Sequence, residues 1–279
     1  MNKWVNEKNI ERWSGFSDLY DKCRPIPPEI ITRAILLYLK GDPEVVVDLG
    51  SGTGLSTMIW NDIAREIIGI EPNDDMREKA EKNTRSDHIH YKRGVSNETG
   101  LPSDYADIVT VSQAFHWMDI DSTLTEIYRI LKEDGVLAIF DCDWPPSIDW
   151  VIETAYQELK SKSDAICCAQ TKHAEQNDKN SYLNRIRSFG KFRFSKEIVC
   201  HSVEECTPER MIEITLSQGS VQSARKLDPS IRKDIDAFCH LVNTHCTDEL
   251  DIVFSYRLRI AVKSTARTFV VLDSKSPEP

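Results

Sequence analysis

The chain has 279 residues, 40 % hydrophobic and 29 % charged, and its 45 Asp and Glu against 35 Lys and Arg give a formal charge of −10. Such a chain buries a real core as one elaborated domain or two small ones, which excludes collagen-like, low-complexity and wholly disordered architectures. The acidic balance offers polyanions no global field, so no nucleic-acid partner is expected, and the longest mostly apolar stretch, Ile30 to Leu39, is too short and too broken for a membrane helix.

Met1 to Lys8 lack the apolar run and small-residue cleavage site of a secretory signal, and a cytoplasmic location is expected. Trp13 to Pro28 read as a surface helix anchored by Phe16 and Tyr20. Val45-Val46-Val47, Ile67 to Ile70, Ile108 to Val111 and Val136 to Phe140 are near-continuous apolar runs of the kind that parallel strands buried on both faces require. Helical stretches lie between them at Ser56 to Ala64, Asp74 to Lys82 and Ser122 to Leu131, the last followed by Gly135 in the place of a C-cap. Repeated strand and helix predict a doubly wound α/β sheet with right-handed crossovers.

Beyond Pro145-Pro146 the pattern turns helical and polar from Ser147 to Glu249, with one strand expected at Phe194 to Val199 and a helix at Ile231 to Val242. Phe254 to Val262 alternates apolar and polar residues, as a half-exposed or edge strand does. The sheet is therefore expected to take its last strand from the C-terminus, which makes the helical stretch an insertion or cap. The expected division is a lid at 1–28, a core at 29–145, a cap at 146–250 and a final strand with tail at 251–279.

Eight cysteines without a C-x-x-C pair read as reduced thiols. Cys239 and His240 with His245 and Cys246 resemble a zinc cluster, but the seven-residue spacing puts both thiols on one helical face, where buried cysteines are common. Asp141 and Asp143 near His116 offer oxygen ligands of the kind magnesium takes, yet acidic loops are usually solvated; no metal is expected.

The strongest signal is Val45 to Gly54, an apolar strand ending in Asp48 and running into Gly50-Ser51-Gly52-Thr53-Gly54 before a helix. The second strand ends in Glu71, where ribose-binding folds place an acid for the sugar hydroxyls. The spacing G-x-G-x-G differs from the G-x-G-x-x-G that presents a helix N-terminus to a pyrophosphate, which counts against a nicotinamide dehydrogenase.

Together these residues resemble the class I S-adenosylmethionine-dependent methyltransferases, and in particular the small-molecule branch whose fourth strand runs into Gln113-Ala114-Phe115-His116-Trp117-Met118-Asp119. Further matching elements are Gly69-Ile70-Glu71-Pro72 with Met76, Gly94 to Pro102, and Glu126 to Gly135, so the resemblance spans about Phe16 to Phe140. It implies a Rossmann-like, mostly parallel seven-stranded sheet with a helical cap, and S-adenosylmethionine as cofactor. It also implies that Asp48 with Gly50, Ser51, Gly52 and Gly54 holds the methionyl part, and that Glu71 holds the ribose diol. Adenine would lie against Pro72, Met76, Val95 and Ser96; where many members carry an acid for the adenine amino group this chain has Val95, leaving Asn97 or backbone groups to serve. Tyr20 and Arg24, in a segment resembling the family's lid, would contact the methionine carboxylate.

Methyl transfer from a sulfonium is an in-line displacement that rests on holding a nucleophile behind the methyl carbon in a dry pocket. The resemblance places Gln113, Phe115 and His116 beside the sulfonium, with Phe115, Trp117 and Trp144 as aromatic walls for substrate. His116 would act as base or positioner, alongside Gln113. The expected function is methyl transfer to a small-molecule carboxylate, hydroxyl or amine, by a monomer or homodimer. The alternatives are other chemistry on the same cofactor, such as cyclisation of its aminobutyryl arm, and a protein or RNA methyltransferase.

Overall fold

The structure is a computed structural model and describes residues 10, 14–15, 17–170, 176–246 and 250–264. Trp13 and Phe16 of the expected lid, and the tail from residue 265, lie outside the described residues.

Seven strands form one sheet in the order β3-β2-β1-β4-β5-β7-β6. They are β1 (Val45–Leu49), β2 (Glu66–Ile70), β3 (Ile89–Lys92), β4 (Ala106–Ser112), β5 (Leu131–Cys142), β6 (Phe194–Cys206) and β7 (Leu250–Val262). β1 to β5 are parallel, and β7 runs antiparallel to both β5 and β6. The four apolar runs read from the sequence are β1, β2, β4 and β5. β3, Ile-His-Tyr-Lys at the sheet edge, has no such run because only its first residue is fully buried. The alternating strand at the C-terminus is not an edge: β7 is half-buried but sits inside the sheet, and β6, of the same length, takes the edge.

Alternation along the buried strands divides the core between two faces. Val46, Ile108, Ala138 and Phe140 look toward α2 (Glu29–Leu36), Trp60, α6 (Trp150–Gln170), α8 (Pro208–Leu216), α9 (Gly219–Leu227) and α10 (Arg232–His245). Val47, Leu49, Val109 and Ile139 look toward α5 (Ile120–Ile130) and α7 (Tyr182–Phe189). The helices of the polar half thus share the sheet's own core. Cys246 and, partly buried, Cys239 pack into it from α10. α1 (Ser17–Cys23) rests on α8 through Lys22 and Glu213, 2.5 Å apart.

Two expected boundaries change. The helix expected at Ser56 to Ala64 is α3 (Leu55–Met58), after which Trp60, Asn61 and Ile63 donate to carbonyls three residues back, tightening the chain as Trp60 enters the core. Gly135 is no C-cap, because α5 ends at Ile130 and β5 starts directly at Leu131. Its glycine is needed for another reason: a Cβ there would stand 2.9 Å from the Lys132 carbonyl oxygen. The remaining helix, α4 (Asp74–Asn83), matches its expectation, with Asn73 Oδ1 accepting from Met76 N–H as N-cap.

Among the described residues no helix is long and apolar enough to cross a membrane, and no group of His, Cys, Asp and Glu is arranged to hold a metal ion.

Candidate active site

β1, β2, β4 and β5 deliver their carboxyl ends to one crevice, at the point where strand order reverses between β1 and β4. The turn after β1 is pinned to β2, since the amides of Gly50 and Ser51 both donate to the Ile70 carbonyl, at 2.8 and 3.2 Å. Gly50 has φ +71°, and a Cβ on it would stand 2.6 Å from that of Ala114, so the two loops can meet only over a glycine. Gly52 has φ +55° and nothing within 4 Å of the place a Cβ would take, which leaves open space on the crevice wall.

The Asp48 carboxylate is fully buried and faces away from this space. It accepts hydrogen bonds from Ser56, Thr57 and Thr110 hydroxyls at 2.7 to 2.8 Å, and burial raises its pKa. Asp48 therefore braces the turn from beneath and is not on the cleft wall where it was expected.

Glu71 does face the crevice. Its Oε2 accepts from Gly52 N–H at 3.0 Å and its Oε1 from Asn73 N–H at 2.8 Å. Burial pushes this carboxyl up from 4.5 to about 7 against those two amide donors. Around it Pro72, Met76, Val95, Ser96, Asn97, Gln113 and Trp117 line a cleft that opens to solvent. Gly50, Gly52 and Tyr20 complete the list of expected residues on this wall; Ile10, Ser112, Ala114, Met118 and Asp119 join them without having been foreseen.

A second cleft meets the first along Tyr20, Gly50, Gly52, Ser112 and Gln113. Arg24, Trp144, Tyr256, Ser51 and Thr53 line it, and among the described residues Arg24 is its one charged residue. The Arg24 guanidinium lies over the rings of Tyr20 and Trp144, at 4.8 and 4.7 Å, and donates to the Ser217 carbonyl at 3.2 Å. The hydroxyls of Ser51, Thr53 and Tyr256 are buried without a hydrogen-bond partner among the described residues. Gly54 starts α3 in the left-handed region and packs under the Tyr91 ring, away from both clefts.

Phe115 and His116 do not line either cleft. Phe115 opens a short 3-10 turn that rotates it into the core, fully buried, with its ring edge-on to Tyr182 at 5.0 Å. That geometry overturns its expected place on a substrate wall. His116 has its ring 4.8 Å from that of Trp117, and Nδ1 lies 4.0 Å from Oδ1 of Asp141.

Behind Gln113 stands an ionic cluster, buried at Asp141 and Arg259, that the sequence did not reveal. Asp141, at the end of β5, meets Lys179 Nζ at 3.0 Å and Arg259 Nη1 at 3.2 Å, and Arg259 Nε donates to Glu197 at 2.7 Å. Lys179 Nζ also donates to Gln113 Oε1 at 3.2 Å.

Residues 47–139 match the family model of a methyltransferase domain. Over 136 residues the chain is 29 % identical to CRG1 of Saccharomyces cerevisiae, assigned as an S-adenosylmethionine-dependent methyltransferase, covering 47 % of each protein. The chain spans about half the length of the curated relatives it matches first. In structure it is similar to a protein of Anaeromyxobacter dehalogenans assigned as a type II methyltransferase, with TM-score 0.63, 15 % identity, and coverage of 86 % of this chain and 97 % of that one. It is also similar to Haemonchus contortus phosphoethanolamine N-methyltransferase 2, solved with phosphomonomethylethanolamine and S-adenosylhomocysteine, with TM-score 0.52, 14 % identity, and coverage of 94 % and 58 %. The Rossmann-like methyltransferase fold is the fold of this chain.

Proposed function

We propose that the protein is an S-adenosylmethionine-dependent methyltransferase acting on a small molecule. The observation that carries this reading is Glu71, a buried carboxylate hydrogen-bonded to the Gly52 amide on the wall of a cleft opened by a glycine turn, inside the segment that matches a methyltransferase domain. The donor set fits the cofactor. Glu71 has lone pairs left for two ribose hydroxyls, Gly52 leaves room for close approach, and the buried hydroxyls of Ser51 and Thr53 await partners.

In this reading Glu71 holds the ribose, and Pro72, Met76, Val95, Ser96 and Asn97 enclose the base. The Gly50 to Gly54 turn, Tyr20 and Arg24 hold the aminocarboxyl end. Bound S-adenosylmethionine supplies an electrophilic methyl carbon on a cationic sulfur. The acceptor enters by the second cleft, where Trp144, Tyr256 and Arg24 exclude water and Gln113 orients the attacking atom. His116, set back beside Asp141, acts through Trp117 and the turn it belongs to. Lid, core, cap and tail keep the boundaries 1–28, 29–145, 146–250 and 251–279, with the cap selecting the acceptor. A carboxylate, hydroxyl or amine acceptor and a cytoplasmic setting remain part of the proposal.

Incubation with methyl-labelled S-adenosylmethionine and small-molecule acceptors tests it. S-adenosylhomocysteine formed only when an acceptor is present supports methyl transfer; methylthioadenosine formed from the cofactor alone contradicts it.

A further inference from the structure

Gln113 is one of the five residues shared by both clefts, and its side chain is oriented by a lysine from a distant part of the chain. An ammonium only donates, so the Gln113 atom 3.2 Å from Lys179 Nζ has to be the carbonyl Oε1, which leaves Nε2 facing the other way. There its one acceptor among the described residues is the Cys142 carbonyl at a long 3.5 Å, so the amide keeps N–H to spare.

Lys179 is itself fixed on several sides. Its ammonium sits 3.0 Å from the buried Asp141 carboxylate, and its backbone carbonyl accepts from Arg259 Nη2 at 3.2 Å. Two residues earlier, Asn177 donates from its backbone to the His116 carbonyl at 3.0 Å and from its side chain to the Met118 carbonyl at 2.9 Å. Residues 177–179 thus strap down the whole Gln113 to Met118 turn.

We propose that Lys179 is a positioning residue that sets Gln113 as a hydrogen-bond donor at the cleft junction, and that the acceptor therefore attacks through oxygen, as a carboxylate or hydroxyl. This rests on the methyltransferase reading. A neutral amine has a single lone pair, which attack on carbon consumes, so it has none to accept from Gln113. An oxygen nucleophile has a lone pair to spare. One oxygen pair forms the new bond to the methyl carbon while the methyl–sulfur bond breaks and its electrons stay on sulfur, leaving a neutral thioether. A carboxylate gives a methyl ester with no proton to lose; a hydroxyl releases its proton to water or a nearby base.

Two readouts test this on the full chain saturated with S-adenosylhomocysteine or S-adenosylmethionine. In the first, the side-chain amide of Gln113 is identified in 15N–1H spectra by its absence in Gln113→Leu. With S-adenosylhomocysteine bound, Lys179→Met shifts its signals and speeds their exchange with water at least tenfold, Lys179→Arg keeps them near wild type, and affinity for S-adenosylhomocysteine changes less than threefold. Asp141 keeps Arg259 in either variant, so no buried carboxylate is left unpaired. In the second, carboxylic acids, phenols and primary amines of matched skeleton are offered with methyl-labelled cofactor. Oxygen acids are methylated, and Gln113→Glu, which replaces the donor by an acceptor of the same shape, lowers that rate at least tenfold. Unchanged Gln113 signals in Lys179→Met, or a panel in which only amines or no compounds are methylated while S-adenosylhomocysteine binds, overturns this inference alone. Failure to bind S-adenosylhomocysteine overturns the methyltransferase reading beneath it.

Discussion

Glu71 and Gly52 are joined by a 3.0 Å hydrogen bond from the glycine amide to Oε2 of the carboxylate, across 19 residues of chain. The bond ties the end of β2 to the turn after β1, and it leaves the carboxylate on the cleft wall with capacity for further donors. From this contact follow the pH behaviour and the mutational tolerance of the site.

A buried carboxyl pushed up to about 7 favours the protonated form in the free protein. Two ribose hydroxyls donating to it favour the ionised form, so binding of S-adenosylhomocysteine releases a proton. Its affinity rises as pH increases from 5.5 and levels off above about 8, and titration calorimetry in buffers of different ionisation enthalpy near pH 6.5 reports the proton. For the unliganded protein the sign is opposite. A raised carboxyl pKa stabilises the fold fully below 4.5, and that contribution is lost as pH rises toward 7. In denaturant titrations Glu71→Gln reduces this decline.

The two glycines of the turn separate fold from function. Gly50→Ala puts a Cβ 2.6 Å from Ala114 in a left-handed backbone, and it costs about 2–5 kcal/mol by denaturant unfolding. Gly52→Ala meets no protein atom within 4 Å, so it costs only about 1–2 kcal/mol for the backbone, while S-adenosylhomocysteine affinity falls at least tenfold.

Much of this was legible in the sequence, and the misses have physical causes. The glycine turn and Glu71 each stand directly after a buried apolar run, so strand ends and site could be read together. Asp48 lies within the first of these strands, but its side chain points to Ser56 and Thr57 on α3, a direction that a glycine motif does not encode. The family resemblance puts Phe115 on the cleft beside Gln113, whereas the 3-10 turn that Phe115 opens carries its ring into the core. Lys179 reaches Gln113 over 66 residues from a polar segment with no periodic signal, so only the folded chain reveals it.

Arg259 is 1 % exposed and balances Asp141 and Glu197. Arg259→Met leaves Asp141 with Lys179 and Glu197 with Arg257 at 3.7 Å, so the loss in chemical denaturation stays below the about 3–5 kcal/mol that an unpaired buried charge costs.

His116 lies beside Asp141 and off both cleft walls, and a carboxylate acceptor needs no base. His116→Ala therefore lowers kcat on a carboxylate acceptor less than tenfold, with the loss independent of pH between 6 and 9. A hundredfold fall that follows a single ionisation would instead make His116 the base.

The most direct measurement is titration calorimetry of S-adenosylhomocysteine into the wild-type protein and into Glu71→Gln at pH 8. The account predicts one-to-one binding to the wild type and at least tenfold weaker binding to the variant, with both proteins folded by circular dichroism. No binding to the wild type, or equal affinity for the two, would contradict it.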